Sequence, residues 1–497
     1  MPGVPVYHSI AEELRQRIHD GRLRPGEQLP SVREQARLLS VNRMTVAHAY
    51  RTLAHEGLVQ GRVGSGTVVT GDTPAERPLA PPTPLLWDAL ASEALDAVAE
   101  TLRGAEALET EPPDGRITFE RSTPDPGLLR LAPLRRALSD SLEAEGPELL
   151  GPGPVEGHPE LRRAVAGLLA QRGLGCREEE VLIVSGVQQG LDLILRTFLK
   201  PGETVITDDP AYYRSLVLFR YHRAHVLGLP VHEQADRAGM LTALLSERPT
   251  RLIYTVSTFH NPTGHSQSRE ERLLFLEAAR HRPLALIEDD SLWELRYEGE
   301  PVPPLGALDA SGSVLTLGSF SKILAPGLRL GWVVGPPEAL RALARVKEIS
   351  DLRGNLLIQA AVARMVNEGA LQAHLKRVLR IYRKRRDAMA AALERHFPHQ
   401  AVWQRPQGGL NFWVSLPPPC DTRRLLDSAL ARGVSFCPGT LFRVRSGGEN
   451  QLRLAFGHLR PAAIERGLAI LGALVHEEIA RARSARSRSG RRAEPLF

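Results

Sequence analysis

Cysteine is almost missing from this chain: Cys176, Cys420 and Cys437 are the three in 497 residues. They form no metal-ligand spacing and no even-numbered framework. That excludes a disulfide-stapled secreted scaffold and a cysteine-held metal, and it fits a reducing cytosol. Long apolar runs are missing too. No stretch is long enough to span a bilayer, and residues 1–10 lack the basic-then-apolar pattern of a secretory signal. The expectation is a cytoplasmic protein with no metal and no membrane partner.

What is present describes a folded, charged, multidomain chain. Hydrophobic residues make up 42% and charged residues 24%, the balance of a globular protein. A length of 497 residues exceeds what one core usually organises, so more than one domain is expected. The formal net charge is +6, which favours nucleic acid or anionic ligands as partners.

Residues 6–70 read as three helices and a hairpin. Ile10, Leu14 and Ile18 share one face of a helix over 6–20, which Gly21 and the turn Leu23-Arg24-Pro25-Gly26 end. Ser31 is a natural N-cap for the next helix, with Glu34 three positions on as a capping box, and Ala36, Leu38 and Leu39 form its apolar side. After Ser40-Val41-Asn42, a third helix over 43–56 places Val46, Ala49, Tyr50 and Leu53 on one face, and Gly57 caps it. Strands at 58–59 and 67–69 flank Arg62-Val63-Gly64-Ser65-Gly66. This order is that of a winged helix-turn-helix, whose third helix enters the major groove by its N-terminal end. Asn42, Arg43, Thr45 and His48 then face DNA, Ser31 and Arg33 reach phosphates or base edges, and Arg62 with Gly64, Ser65 and Gly66 approaches the backbone or minor groove. The alternative is a small helical domain with surface arginines. The motifs Leu29-Pro30-Ser31-Val32-Arg33-Glu34, Asn42-Arg43-Met44-Thr45-Val46, Leu53-Ala54-His55-Glu56-Gly57-Leu58 and Gly64-Ser65-Gly66-Thr67 resemble the GntR-type DNA-binding domain over nearly all of 6–70.

Pro74, Pro78, Pro81, Pro82 and Pro84 mark a semi-stiff spacer. A helix over 87–102 is expected after it, with Leu90, Ala94, Val98 and Leu102 on one side, and Pro112-Pro113-Asp114-Gly115 is a break. The domain boundaries are drawn at 1–71 for the DNA-binding domain, 72–115 for the proline-rich linker, 116–476 for the large domain and 477–497 for a basic, disordered tail. That tail carries Arg481, Arg483, Arg486, Arg488, Arg491 and Arg492, read as solvated, with added non-specific DNA affinity as the alternative.

In the large domain, strand candidates at 181–184, 204–207, 252–256, 284–287, 314–317 and 332–334 alternate with helical stretches such as 160–172 and 188–199. Such alternation predicts an α/β fold with a mostly parallel sheet, where ligands collect at the carboxyl ends of strands. Polar clusters follow these strands, and each carries two readings. Ser185-Gly186-Val187-Gln188-Gln189 is an anion site at a helix start or a simple cap. Asp208-Asp209-Pro210-Ala211-Tyr212-Tyr213 offers Tyr212 as a ring-stacking platform or as core packing. His260-Asn261-Pro262-Thr263-Gly264 places Asn261 as a donor to a phenolic oxygen or is an ordinary turn. Glu288-Asp289-Asp290 supplies an acid for a ring nitrogen or a solvated strand end. Gly318-Ser319-Phe320-Ser321-Lys322, with Arg329 seven positions on, combines hydroxyls, an amine and a guanidinium suited to an anchored phosphate and an imine, or is a turn with a solvated lysine. Arg453, within Leu452-Arg453-Leu454-Ala455-Phe456, suits a carboxylate or a structural salt bridge.

Together the clusters ask for one ligand with a phosphate, an aldehyde, a phenolic oxygen and a basic ring nitrogen, which is pyridoxal 5′-phosphate. Their order and spacing, with Thr123-Pro124-Asp125-Pro126 and Gly157-His158-Pro159-Glu160-Leu161-Arg162, resemble the fold-type I aminotransferases over about 117–475. That resemblance implies Lys322 as the imine lysine and Asp289 as the partner of the pyridine nitrogen. It implies Asn261 at the phenolic oxygen and Tyr212 stacked on the ring. Gly186, Val187, Gln188, Ser319, Ser321 and Arg329 hold the phosphate, and Arg453 takes an amino acid's carboxylate. Two departures stand out. Ser291 and Leu292 occupy the positions where the family usually has a tyrosine after the pairing aspartate. Leu149-Leu150-Gly151-Pro152-Gly153-Pro154 lacks the tyrosine that usually precedes Gly157.

A GntR-like reader joined to an aminotransferase-like domain resembles the MocR/GabR group of bacterial transcriptional regulators. The resemblance implies a homodimer, with each reader swapped over its partner's large domain as one arrangement. It also implies a double-stranded DNA operator, an amine or amino-acid effector, and a nucleoid-associated cytoplasmic location. The first reading is a regulator that binds pyridoxal phosphate as an internal aldimine on Lys322 and responds to that effector or to the cofactor. The second is a working aminotransferase carrying a DNA-binding domain; the third is a DNA-binding scaffold whose large domain only dimerises.

Overall fold

Side-chain caps and apolar stripes set the N-terminal helices. The computed structural model describes residues 5–62, 66–70, 89, 92–109, 115–231, 236–280 and 282–490, and the chain divides into two units, 1–97 and 98–497. In the first unit, α1 (Val6–His19), α2 (Val32–Leu39) and α3 (Arg43–His55) pack through Ile10, Ala11, Leu14, Val46, Tyr50 and Leu53. Ser31 Oγ accepts the Glu34 N–H at 3.2 Å and Asn42 Oδ1 accepts the Met44 N–H at 2.8 Å. Each satisfies a donor that a helix start leaves open, worth about 1 kcal/mol. The hairpin is β1 (Val59–Arg62) against β2 (Gly66–Val69), antiparallel, with Val59 opposite Val69 and Arg62 opposite Gly66.

The helix expected over 87–102 starts later, as α4 (Glu93–Glu109). Ala89 is buried in the core of the first unit. Most of the proline-rich linker, including residues 71–88, and residues 112–114 of the break that ends at Gly115 lie outside the described residues.

The second unit is built on a seven-stranded sheet. After the short β3 (Ile117–Thr118) come β4 (Val181–Val184), β5 (Thr204–Asp209), β6 (His225–Pro230), β7 (Thr250–Val256), β8 (Ala285–Asp289), β9 (Val314–Ser319) and β10 (Gly331–Val334). The order is β4-β10-β9-β8-β7-β5-β6. Only β10 opposes its neighbours, so the mostly parallel sheet is as expected. All six strand candidates are present. β6 escaped the sequence reading because it is an edge strand whose run is broken by Gly228 and closed by Pro230, residues that weaken a strand signal. Gly318 is required by close approach: a Cβ there would lie 2.3 Å from the ring of the buried Trp332 on the facing strand.

A smaller antiparallel sheet follows, in the order β11-β12-β15-β14. Its strands are β11 (Val402–Trp403), β12 (Asn411–Ser415), β14 (Cys437–Pro438) and β15 (Gln451–Ala455), while β13 (Val434–Ser435) pairs with β3. The helices Ala370–His396 and Pro461–Gly490 pack through Val378, Tyr382, Met389, Leu468, Leu471 and Val475. The expected disordered tail from 477 is corrected here, since the last helix runs on to Gly490. Glu477 pairs with Arg432 at 2.9 Å and Glu478 with Arg424 at 3.3 Å, which ties the start of the basic segment to the helix Thr422–Ala431. Arg491 and Arg492 lie outside the described residues. Among the described residues no helix is long and apolar enough to cross a membrane, no acid–His–Cys group is arranged to hold a metal, and the three cysteines are free.

Candidate cofactor pocket and DNA-reading face

Parallel strands deliver their carboxyl ends to one edge of the sheet. There β4 leads to Ser185 and Gly186, β5 to Tyr212, β7 to Asn261 and β9 to Lys322, while β8 ends at Asp289. The reversed strand β10 starts at the same edge, two residues after Arg329. The sheet order thus gathers side chains far apart in sequence.

Gly186 (φ +98°) caps the helix Val187–Phe198, and a Cβ there would sit 3.2 Å from Arg329 Nη2. Arg329 donates to the Ser185 carbonyl at 2.7 Å. Val187 and Gln188 open the helix, whose first-turn amides and dipole favour an anion; Gln188 Nε2 lies 3.4 Å from the Arg214 carbonyl. Ser319 and Ser321 are buried, with the Ser321 N–H donating to Ser319 Oγ at 3.0 Å and Ser319 Oγ donating to the Leu330 carbonyl at 3.2 Å. Lys322 Nζ donates to the Ser122 carbonyl at 2.6 Å.

The three acids at the end of β8 divide by pleat alternation. Asp289 Oδ2 accepts the Tyr254 hydroxyl at 2.9 Å and its Oδ1 accepts the Ser291 N–H at 3.1 Å. Burial, then the neighbouring Asp289 charge, hold the Tyr254 phenol well above its ordinary value, so it is a neutral donor. Glu288 turns the other way, accepting from Ser257 Oγ at 2.6 Å and Leu305 N–H at 2.8 Å, and pairing with Arg272 at 3.4 Å. Asp290 meets Arg172 at 3.3 Å, and burial, then Glu288, push its carboxyl up to about 7. Glu288 and Asp290 are structural acids, and neither is a solvated strand end.

Arg453 is 3% exposed. Its Nη1 donates to Asn261 Oδ1 at 3.0 Å, Nη2 donates to the Glu120 carbonyl and lies 3.1 Å from Cys437 Sγ, and the guanidinium sits 5.0 Å over the Phe442 ring. Its charge also acts on the nearby Glu120 carboxyl. Tyr212 is half-buried, edge-on to the buried Tyr213 at 5.4 Å. Of the residues before Gly157, Leu149 packs on Leu356 and Ala360.

On the first unit, Asn42, Arg43 and Thr45 lie at the start of α3, and Ser31 and Arg33 at the start of α2. Ser31 and Asn42 spend their side-chain oxygens on helix caps. His48 is exposed, edge-on to Tyr7 at 4.7 Å. Arg43 Nη1 meets Asp96 Oδ2 at 2.6 Å, and Arg33 Nη1 meets Asp96 Oδ1 at 3.4 Å. Gly66 takes φ +73° at the foot of the wing; Gly64, Ser65 and the Arg62 side chain lie outside the described residues.

Residues 6–69 match the family of bacterial regulatory proteins, gntR family, and residues 125–471 match aminotransferase class I and II. The uncharacterized HTH-type transcriptional regulator YisV of Bacillus subtilis is 31% identical over 94% of this chain and 95% of its own length. The chain belongs to the MocR-type regulators. It is a GntR-type regulator fused to a pyridoxal-phosphate-dependent, aminotransferase-like domain. The probable rhizopine catabolism regulatory protein MocR of Rhizobium meliloti is 29% identical over 94% of this chain and 92% of its own. The solved α-aminoadipate aminotransferase LysN of Thermus thermophilus, complexed with N-(5′-phosphopyridoxyl)-L-leucine, superposes with a TM-score of 0.73 at 33% identity, covering 80% of this chain and 100% of its own.

Sequence reasoning missed four partners in this MocR-type chain: Tyr254, Ser122, Glu120 and Asp96. A signal existed for Tyr254, since a phenol inside the apolar run of β7 must find a hydrogen-bond partner. Ser122 and Glu120 contribute backbone carbonyls, which carry no residue-type signature. Asp96 looks like any acid in a first turn.

Proposed function

We propose that the large domain binds pyridoxal 5′-phosphate at this sheet edge, senses an amine or amino acid through it, and alters how the first unit binds a double-stranded operator. The donor set fits the cofactor. First-turn amides of Gly186, Val187 and Gln188, the hydroxyls of Ser319 and Ser321, and Arg329 would hold the phosphate. A Cβ at position 186 would sit in tight contact with the guanidinium, at 3.2 Å. Asp289 would pair with the ring nitrogen, Asn261 with the phenolic oxygen, and Tyr212 with the ring face. When bound, the group supplies a carbonyl that condenses with primary amines and a ring that withdraws electrons.

The chain's own residues do the rest. Lys322 presents the ε-amine, with the Ser122 carbonyl as its local acceptor. Tyr254 fixes the orientation of Asp289 without bringing a charge. Arg453 offers a guanidinium to an effector carboxylate, its Nε–H being buried and unpartnered, and would exchange its bond to Asn261 on doing so. Only an effector that binds the two arrangements of the chain differently can shift them. The boundaries at 71, 115 and 476 belong to this reading, as does a cytoplasmic, nucleoid-associated homodimer, domain-swapped in one arrangement.

The observation that carries the reading is Asp289, held on its strand end by a buried phenol among the amine, hydroxyl and guanidinium groups that the sheet gathers. The test is an absorbance titration with pyridoxal phosphate and then with candidate amines, run beside a DNA-binding assay on the same samples. After free cofactor is removed, near-ultraviolet or violet absorbance that stays with the chain, and that moves with an amine and with DNA affinity, is expected. A chain that stays colourless at any cofactor concentration overturns it. The second reading, a working aminotransferase, is favoured by the complete set of Lys322, Asp289 and Arg453. Steady turnover of amino acids with 2-oxo acids, with DNA affinity and effector response intact in Lys322→Ala, would establish that reading instead.

A further inference from the structure

The two arginines expected to read DNA from α2 and α3 converge on one carboxylate of their own chain. Asp96, in the first turn of α4, accepts Arg43 Nη1 on one oxygen at 2.6 Å and faces Arg33 Nη1 with the other at 3.4 Å. The Asp96 carbonyl also accepts Arg33 Nη2 at 3.3 Å. Both carboxylate oxygens and a carbonyl thus meet the donors that would otherwise meet a phosphate or the edge of a guanine. The Arg43 side chain is only 17% exposed, and Ala89 is buried in the core of the same unit. All of these residues lie within 1–97.

We propose that Asp96 is a built-in competitor for DNA: it occupies Arg43 and Arg33 in the free chain and must leave before either contacts the duplex. Observed DNA affinity is then the intrinsic affinity reduced by the fraction of chains in which Asp96 is docked. A condition that releases Asp96 tightens DNA binding, and by linkage DNA releases Asp96. The inference rests on the proposed role of α3 in DNA binding.

The whole 497-residue chain is tested on a labelled duplex enriched by it from a random-sequence pool, and on a scrambled duplex. Asp96→Asn keeps the shape and removes the charge. It should bind the enriched duplex about threefold to tenfold more tightly, the range of a partly exposed ion pair with two partners, while Asp96→Glu stays near wild type. In the wild-type chain, adding duplex should speed amide hydrogen exchange over residues 92–97. This second measurement does not depend on a variant folding. Unchanged or weaker binding by a folded Asp96→Asn, or exchange over 92–97 that DNA leaves unchanged or slows, overturns the proposal. If instead Arg43→Ala binds the enriched duplex as well as wild type does, the groove assignment itself is wrong, and that failure is separate.

Discussion

Asp289, Glu288 and Asp290 are chemically alike and adjacent, and their surroundings give them different work. Asp289 is oriented by Tyr254 on the neighbouring strand. Replacing that phenol, Tyr254→Phe, deletes one hydrogen bond to a carboxylate, worth about 1.5–3 kcal/mol. Pyridoxal phosphate affinity should fall by roughly tenfold or more, read by absorbance titration, with the DNA affinity of the cofactor-free chain unchanged. Glu120 allows a pH test. Burial is the main cause that pushes its carboxyl from 4.5 up to about 7, against the smaller opposing effects of Ser435, Thr118 and nearby arginines. In the unfolded chain Glu120 ionises near 4.5, whereas in the folded chain it keeps its proton until about 7. Between those values the folded state binds more protons, so this group's stabilisation is full below about 4.5 and is lost as pH rises through about 7. Glu120→Gln removes that dependence. The melting temperature of the variant relative to wild type should climb from pH 5 to pH 8, roughly the window in which the linkage acts; a constant difference would show that Glu120 does not titrate there.

At the scale of elements, the proposed function rests on two helix starts. The start of Val187–Phe198 depends on Gly186 at φ +98°. Gly186→Ala forces a side chain into a backbone region, φ 98° and ψ 169°, that costs about 1–3 kcal/mol and presses a Cβ against Arg329 at 3.2 Å. Weaker cofactor binding with a raised off-rate, followed by absorbance, is the expected outcome. The start of α3 carries Arg43, and Arg43→Ala should weaken specific DNA binding by about 1–3 kcal/mol if the guanidinium reads a base edge. The ion pair with Asp96 moves the expected loss toward the low end, because Arg43 gives up that partner on binding. Titration of wild type and variant against enriched and scrambled duplexes measures both affinity and discrimination.

At the scale of the molecule, the chain is a small reader and a large α/β body in two units. Cofactor binding should register as ligand-linked stability of the body. At a free concentration one hundred times Kd, pyridoxal phosphate stabilises the bound form by about 2.7 kcal/mol, and scanning calorimetry should show the transition of residues 98–497 moving upward with concentration. The same titration on Gly186→Ala should show a smaller shift at equal concentration. A transition that does not move would place the cofactor elsewhere or nowhere.

The order of domains, the cap at Ser31 and six strands of the main sheet were legible in the amino-acid sequence alone, which also nominated Lys322, Asp289 and Arg453 as candidates. These features depend on neighbours within a few positions: a cap needs its own first turn, and a buried strand needs a run of apolar residues. The pairings that tune those features came only from the tertiary structure. Tyr254 reaches Asp289 across 35 positions, Arg33 reaches Asp96 across 63 and Lys322 reaches Ser122 across 200. Partners at such separations are chosen by strand order and helix packing, which no local pattern encodes. For the same reason the pairing of Glu477 and Glu478 with Arg432 and Arg424, where the basic segment begins, came only from the tertiary structure.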